Sequence, residues 1–472
     1  MTTTLGTSLL VQAVTVALLR HRLGRSWLQR PVALLVICSV LNQGVGPVLL
    51  AIPSIGKYDF FAQGIDRSFI DSANLIMSAA MLAFTIAYLL TFPERTITPE
   101  RRGVAETAAK VLDWRLLACG VIPLTALTAA GRGYNDGTAA GHGTALATNL
   151  ASTFFIVLIV LAAAAFLLRH GTRWFLPVLV IQSGLLAVAG ERTPVITDSV
   201  ALILMLRFAG VRVPIRQIMA AGLLTVMAFL AISGARVVYS RNLFYSNSGF
   251  AGRLTALSTG ILAAGGSQGG PDTPGIVTQV AVRLSGVDFA GGILQSIGEG
   301  QPRLSPAYVP ESMLLAVPSF IWRSKLAQGV ALDPAQLQIN DFGLQQINFI
   351  PAMPGLYIGF LTPPWLMVLF GLFGLAFGWF ERWLLRECTP ARLVLFAGAV
   401  SAALLYEAGV PTMLVQMRAA LVLVIAVRLM QAHRARALVA RLRPAIASQR
   451  PVATQLRQAT AHLQSGRAGE QR

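Results

Sequence analysis

The chain has 472 residues, of which 55% are hydrophobic and 12% are charged, whereas a soluble domain carries about 25% charged residues. The mean hydropathy of +0.64 argues against a soluble protein, which would expose far more apolar surface than water tolerates. In a soluble protein, a net charge of +18 would indicate binding to nucleic acid. Here the cations lie between apolar segments, so they indicate membrane topology and no nucleic acid partner.

Apolar runs near the length of about 20 residues that a spanning helix needs recur along the chain. We therefore predict an all-α polytopic membrane protein with about eleven transmembrane helices and one long outer loop. Residues 1–237 hold predicted helices 1 to 8, and residues 350–430 hold helices 9 to 11. The predicted spans are 4–19, 31–53, 73–92, 114–130, 146–168, 175–190, 195–210, 217–237, 364–380, 393–408 and 412–430.

The distribution of positive charge along the chain predicts how the chain is oriented in the membrane, because cytoplasmic loops of membrane proteins carry an excess of Lys and Arg. By this rule the N-terminus is outside and the C-terminus is cytoplasmic, where residues 431–472 form a basic tail. The connecting segments predicted to be cytoplasmic are 20–30, 93–115, 169–173, 207–216 and 381–392.

The longest segment between predicted spans, residues 238–349, is predicted to be an extracytoplasmic loop. It carries as many acids as cations, so its cations are not merely part of a basic coat. The apolar stretch 311–322 is too short to span and is predicted to lie flat at the outer interface. Residues 350–363, rich in Pro and Gly, predict a re-entrant or broken helix before the ninth span.

Two stretches carry a recognisable pattern. Residues 190–194, Gly-Glu-Arg-Thr-Pro, place an Arg after a small residue at the outer start of a predicted helix. Residues 317–325 read Val-Pro-Ser-Phe-Ile-Trp-Arg-Ser-Lys, and residues 354–357, Pro-Gly-Leu-Tyr, lead into a helix with Gly371, Gly374 and Gly378. Together they resemble the oligosaccharide repeat-unit polymerases, the O-antigen polymerase-like family. That family has a Pro-Arg-x-x-Trp-Pro-x-Lys segment, and here Ser319 and Arg323 stand where it has Arg and Pro.

The resemblance implies a membrane glycosyltransferase that polymerises polyprenyl-diphosphate-linked oligosaccharide repeat units into a surface polysaccharide. It implies a bacterial plasma (inner) membrane, contact with membrane lipid, action at the outer leaflet, and no cofactor. A flippase and a chain-length regulator are the protein partners it points to. Two alternatives stay open: an O-antigen ligase-type glycan transferase and a multispan polysaccharide or lipid transporter.

The implied reaction has a diphosphate leaving group whose charge must be neutralised. Arg suits this role because its planar fork binds phosphate oxygens in pairs and stays charged, and the outer segments hold no acidic D-x-D cluster for a metal. The acceptor hydroxyl needs a general base. The candidate catalytic residues are Arg192, Arg241 and Glu299. The candidate substrate-binding residues are Arg236, Arg303, Arg323, Lys325 and Arg418, and no metal ligand is predicted.

Several candidates also have a structural interpretation. Arg192 can snorkel and pair with Glu191 or with Asp198, which is predicted to lie in the first turn of its helix. Arg418, inside the last span, can pair with Glu407. Glu299 can form a loop salt bridge, and Asp341, a second candidate base, can do the same. His142, in a Gly-rich outer loop, is a weaker candidate still.

Overall fold

The computed structural model describes twelve stretches of the chain, and most of those residues are helical, with no strand among them. The described residues are 3–56, 64–91, 112, 114–131, 142–188, 192–238, 285–317, 334–344, 352–387, 389–406, 409–429 and 431–433. By its contacts the chain divides into two units, residues 1–421 and 422–472. Of the second unit, which includes the basic tail, the structure describes only the end of one helix.

A helix lies at the position of every predicted span. Three more helices, α9 to α11, lie inside the segment predicted as one long loop. In chain order the helices are α1 (Thr3–Leu23), α2 (Pro31–Leu50), α3 (Arg67–Thr91), α4 (Trp114–Gly131), α5 (His142–His170), α6 (Phe175–Val188), α7 (Arg192–Phe208), α8 (Ile215–Val238), α9 (Val287–Gly298), α10 (Tyr308–Met313), α11 (Pro334–Asp341), α12 (Pro363–Leu385), α13 (Pro390–Leu404) and α14 (Gly409–His433).

Five of these helices, α1, α2, α3, α12 and α14, are long and apolar enough to cross a membrane. Four further apolar stretches, within α5, α6, α8 and α13, are shorter. Helix α2 is not a regular α-helix throughout, because it passes through a π-helical turn at Val40–Val45 before resuming at Gly46. Among the described residues the all-α fold is therefore confirmed, with five helices that could cross a membrane by their length and composition, whereas the number eleven and the single outer loop stay predictions.

Helix α3 begins at Arg67, six residues before its predicted start. Asp66 caps it: the Ser68 N–H donates to the Asp66 carboxylate over 2.8 Å, which satisfies one of the free N–H groups of the first turn. These bonds from Ser68 lower the pKa of Asp66. Hydropathy finds the apolar window of a helix, but a polar first turn lies outside that window.

Helix α12 packs directly on α3 through two glycines. A Cβ added at Gly374 would lie 2.1 Å from the Phe84 carbonyl oxygen, and one at Gly378 would lie 2.0 Å from the Thr91 hydroxyl. Small residues four apart let two helix backbones approach closely in a membrane. At Gly371 an added Cβ would meet no described atom within 4 Å. Two of the three glycines in the family-like helix therefore have a packing role.

The opposite face of α12 is an exposed apolar stripe at helical spacing, formed by Trp365, Val368, Leu372, Leu375 and Trp379. The two tryptophans are 14 residues apart, which is about 21 Å along a helix. This is shorter than a hydrocarbon core of about 30 Å, so at most one of the two tryptophans lies at a membrane interface, where Trp is enriched. The stripe is thus suited to face lipid.

A buried charged group joins α2, α3 and α12 at one end of the helices, named here the basic end. The Glu381 carboxylate accepts hydrogen bonds from the Val32 N–H over 3.2 Å and from the Tyr88 hydroxyl over 3.1 Å. The Arg30 guanidinium is the cation that faces it, and both Arg30 and Glu381 are fully buried. Segments 20–30 and 381–392, predicted to share one side of the membrane, therefore adjoin this end.

Replacing Arg30 with Leu is expected to destabilise the fold by about 3–5 kcal/mol, because Glu381 would stay buried without its cation. A double replacement, Arg30→Leu with Glu381→Leu, should recover most of that loss. The control is Arg392→Leu: Arg392 pairs over 3.3 Å with Glu387, whose side chain is 67% exposed, so the pair contributes at most about 1 kcal/mol. Thermal unfolding in detergent measures all three. An R30L variant as stable as the control would contradict the expectation.

Candidate functional site

Three stretches from the second half of the predicted loop and the turn after it pack together at the end of α3 opposite the basic end. These stretches, residues 285–317, 334–344 and 352–362, are named here the cap. Helix α9 rests on the first turns of α3, since a Cβ added at Gly291 would lie 2.9 Å from the Ile70 Cα. The Asp66 N–H donates to the Gln295 side chain over 2.8 Å. The predicted loop is therefore, where the structure describes it, a folded layer.

The turn before α12 is fixed by side chains of the cap. Its residues 352–360 are buried, with a 3-10 turn at Gly355–Tyr357. The fully buried Gln338 of α11 donates to the Leu356 carbonyl over 2.8 Å and accepts from the Gly359 N–H over 3.0 Å. In the described part of 350–363, successive turns run from Ala352 to Leu361, closed by bonds such as Leu356 N–H to the Ala352 carbonyl and Leu361 N–H to the Tyr357 carbonyl, before Pro363 starts α12. This run is compatible with the predicted broken helix, and a re-entrant path in the membrane stays a prediction.

Arg303, in the cap stretch 285–317, binds the same turn. Its Nη1 donates to the carbonyls of Ile358 and Leu361, the latter over 2.8 Å. The side chain is half-buried, and this burial lowers the pKa of the guanidinium. An Arg remains charged under any ordinary condition, so Arg303 places a positive charge inside the cap.

Arg418, in α14, reaches the cap from inside the helical bundle. Its Nη1 donates to the carbonyls of Ala316 over 3.1 Å and Val317 over 3.4 Å. Val317 is the first residue of the family-like segment 317–325, so Arg418 fixes the point where that segment begins. Glu407, its predicted partner, lies outside the described residues.

Both arginines have capacity left after these contacts. A guanidinium carries five N–H donors on three nitrogens, and among the described residues Arg303 and Arg418 each use one nitrogen, Nη1. Their Nε and Nη2 atoms are able to donate to an anion while Nη1 holds the backbone. A role in fixing the cap and a role in binding phosphate are therefore compatible.

Glu299 lies in the cap, at the end of α9, and its side chain is exposed. Its Oε1 accepts a hydrogen bond from the Gln295 amide over 2.8 Å. Asp341, the other candidate base, is also exposed and ends α11. Both carboxylates are thus open to solvent at the cap.

The other candidates are described in part or lie outside the described residues. Arg192 is the first residue of α7 and Arg236 lies near the end of α8, but their side chains are outside the described set. His142 begins α5, and its side chain is likewise outside the set. Residues wholly outside the described ranges are Arg241, Arg323 and Lys325.

The predicted place of Asp198 in the first turn of its helix is wrong. Helix α7 begins at Arg192, so Asp198 lies in the second turn. Pro194 is tolerated near the helix start, because the first four N–H groups have no partner within the helix. The Asp198 carboxyl is fully buried and faces the side chains of Gln182 and Thr197. It is too deep to balance the positive end of the helix dipole, an effect confined to the first turn.

A buried hydrogen-bond network crosses the bundle and was not predicted. Gln12 of α1 donates to Gln43 over 2.7 Å and to Ser39 and Ser78 over 3.1 Å each. Gln43, in the π turn of α2, donates to the Tyr406 hydroxyl over 2.7 Å. The sequence carried one signal for this network: polar side chains lie inside predicted apolar spans. Such side chains usually face a hydrogen-bonding partner or a cavity.

No protein-family model, no curated protein and no solved structure matches this chain. Among the side chains that the structure describes, no group of three His, Cys, Asp or Glu comes together as a metal site would require. Its long apolar helices define the class to which the protein belongs: it is an all-α membrane protein. Within that class, it carries a folded cap that holds two arginines at one end of its helices.

Proposed function

We propose that the chain is a membrane glycosyltransferase that polymerises polyprenyl-diphosphate-linked oligosaccharide repeat units at the outer face of a bacterial plasma membrane. In this proposal eleven helices span the membrane, the cap faces outward and the basic end faces the cytoplasm. The observation that carries the proposal is the contact from Arg418 to the carbonyls of Ala316 and Val317. It joins a cation in a helix of the bundle to the start of the segment that resembles the polymerases.

The family-like residues 354–357 support the same proposal. Pro354–Tyr357 belongs to the turn whose later carbonyls, at Ile358 and Leu361, accept hydrogen bonds from Arg303. The start of segment 317–325 and the turn that follows residues 354–357 are thus each bound by an arginine whose Nε and Nη2 have no partner among the described residues. That is the arrangement a diphosphate needs, because charge-assisted bonds from Arg neutralise it without a metal.

In the proposed reaction, the acceptor hydroxyl oxygen attacks the anomeric carbon of the donor glycan. A new glycosidic C–O bond forms, and the C–O bond to the polyprenyl diphosphate breaks. The diphosphate leaves with the electron pair, and the hydroxyl proton passes to a base, for which Glu299 is the candidate. Arg192 and Arg241 neutralise the leaving group, while Arg236, Arg303, Arg323, Lys325 and Arg418 hold the carriers.

The deciding experiment is incubation of the purified full-length chain with lipid-linked repeat units in detergent. Lengthened, lipid-linked glycan is expected without an added sugar nucleotide, flippase or chain-length regulator. Transfer to a foreign acceptor alone would favour the ligase alternative. In a second arm the chain is reconstituted into vesicles, and movement of the lipid-linked unit across their bilayer without lengthening would favour the transporter. Each of the last two results would remove the polymerase proposal.

A further inference from the structure

The exposed apolar stripe of α12 leads, at the basic end, into a group of tryptophans and arginines. Trp379 is 71% exposed and Trp383, one turn later, is 39% exposed. Arg382 lies in the last turn of the same helix, and the exposed Arg386 follows it with helical backbone angles. Residues three and four apart are neighbours on a helix surface, so these four side chains share one face. Together with Arg392 they are named here the arginine–tryptophan corner.

The corner lies about one hydrocarbon thickness from the other end of the stripe. Trp365 precedes Trp383 by 18 residues and Arg386 by 21, which is about 27 Å and about 32 Å along a helix. The hydrocarbon core of a bilayer is about 30 Å thick. When Trp365 lies at one interface, Trp383 and Arg386 therefore reach the headgroups at the other, and the exposed Leu375 between them faces acyl chains.

A third arginine reaches the corner from the first turn of α13. The guanidinium carbon of Arg392 lies 4.9 Å from the centroid of the Trp383 ring, which is a cation–π distance. Its Nη1 pairs with the Glu387 carboxylate over 3.3 Å, and its N–H donates to the Thr389 side chain over 3.3 Å. Contacts from a second helix therefore position the Trp383 ring, and the same contacts engage the carboxylate of Glu387.

The corner carries more positive charge than the described carboxylates balance. Glu387 pairs with Arg392, whereas neither Arg382 nor Arg386 forms an ion pair among the side chains that the structure describes. Guanidinium groups bind phosphate oxygens in pairs. A free phosphate would make no use of the exposed indole rings and leucines beside these arginines. A phospholipid matches both features, because it joins a phosphodiester to apolar chains.

We propose that the arginine–tryptophan corner binds one anionic phospholipid. The phosphodiester accepts hydrogen bonds from Arg382 and Arg386, and an acyl chain lies along Trp379 and the apolar stripe. A zwitterionic headgroup carries its own cation, which the arginines repel, whereas basic clusters at the end of a membrane helix attract anionic lipids. The site depends on α12 crossing a membrane and is independent of the proposed glycan transfer.

The test reconstitutes the purified full-length chain into phosphatidylcholine vesicles that contain a minor fraction of phosphatidylglycerol. Bromine on the acyl chains of one lipid or the other quenches the fluorescence of tryptophans that this lipid contacts. Brominated phosphatidylglycerol is expected to quench more than an equal fraction of brominated phosphatidylcholine. The double replacement Arg382→Gln with Arg386→Gln should lower this preference about fivefold or more.

The chain has seven tryptophans, so the emission of the corner must be identified. Trp379→Phe with Trp383→Phe removes that emission, and the difference from the wild type is the signal to be compared. The matched control is Arg20→Gln with Arg22→Gln. These two exposed arginines lie in the last turn of α1, so the control removes the same charge from another helix at the basic end. It should keep the wild-type preference.

Equal quenching of the wild type by the two brominated lipids would overturn the proposal. An equal fall in the corner variant and in the α1 control would also overturn it, because the preference would then reflect the general charge of the basic end. If the double variant does not elute as a monodisperse peak, Arg386→Gln alone replaces it, since that side chain is exposed. An unchanged preference in whichever of these variants is folded would exclude the arginines from lipid binding.

Discussion

Replacing Gly374 with Leu is expected to remove nearly all folded protein from the membrane. The Gly374 Cα lies so close to α3 that an added Cβ would sit 2.1 Å from the Phe84 carbonyl oxygen and 3.0 Å from the Phe84 Cα. These are backbone atoms, so no side-chain rotation relieves the clash, and the two helices must separate. Overpacking typically costs about 1–3 kcal/mol where neighbours can adjust. Here they cannot, and the interface between α3 and α12 would open.

The matched control is Gly371→Leu on the same helix. Its added side chain would meet no described atom within 4 Å of the Cβ position, and this replacement also exchanges Gly for a better helix former. Both variants carry the same fluorescent tag and are compared by membrane yield and by elution profile in detergent. A Gly374→Leu variant with the yield and profile of Gly371→Leu would show that α3 and α12 do not pack through this glycine.

Sequence patterns place the spanning helices well because hydropathy depends on residue type alone. The predicted start of the ninth span, residue 364, falls one residue from the start of α12 at Pro363. The same pattern misses helical turns that lie outside the apolar window. The first five residues of α3 include three polar ones, Arg67, Ser68 and Asp71. The helix begins there because Asp66 accepts from the Ser68 N–H and itself donates to Gln295 of α9.

Partners distant in the chain are where sequence reasoning fails. The glycines of α12 can be recognised from their spacing, but nothing in the sequence tells which of them touches α3. Gln43 and Tyr406 hydrogen-bond across 363 positions of chain, and Arg30 faces Glu381 over a similar separation. Such pairs are fixed by the packing of whole helices, which no local pattern records.

For the candidate site, the sequence suggested residues but not their contacts. Arg303 and Arg418 were predicted as substrate-binding, and both lie at the cap. Their described partners are backbone carbonyls, which every residue has, so residue types could not reveal them.

Arg192→Ala is expected to abolish polymer formation, lowering the rate of lengthening about 100-fold or more, as the loss of a group that stabilises developing charge does. Arg192 is the first residue of α7, where unpaired N–H groups and the helix dipole also favour an anion. In the proposed reaction this is where the diphosphate gathers charge as it leaves. Arg192→Lys should also impair lengthening, because an ammonium group does not reproduce the paired contacts of a guanidinium.

The control is Arg207→Ala, at the other end of the same helix and on the side predicted to be cytoplasmic. All three variants should insert to wild-type level, because the spans themselves are unchanged. Glycan ladders from a deletion strain carrying each variant report chain length, and the incubation assay reports rate. Wild-type ladders from Arg192→Ala would exclude this residue from the site, and full activity of Arg192→Lys would exclude paired phosphate contacts. If Arg207→Ala lost activity as well, a general effect on α7 would explain both results, and the helix start would lose its special role.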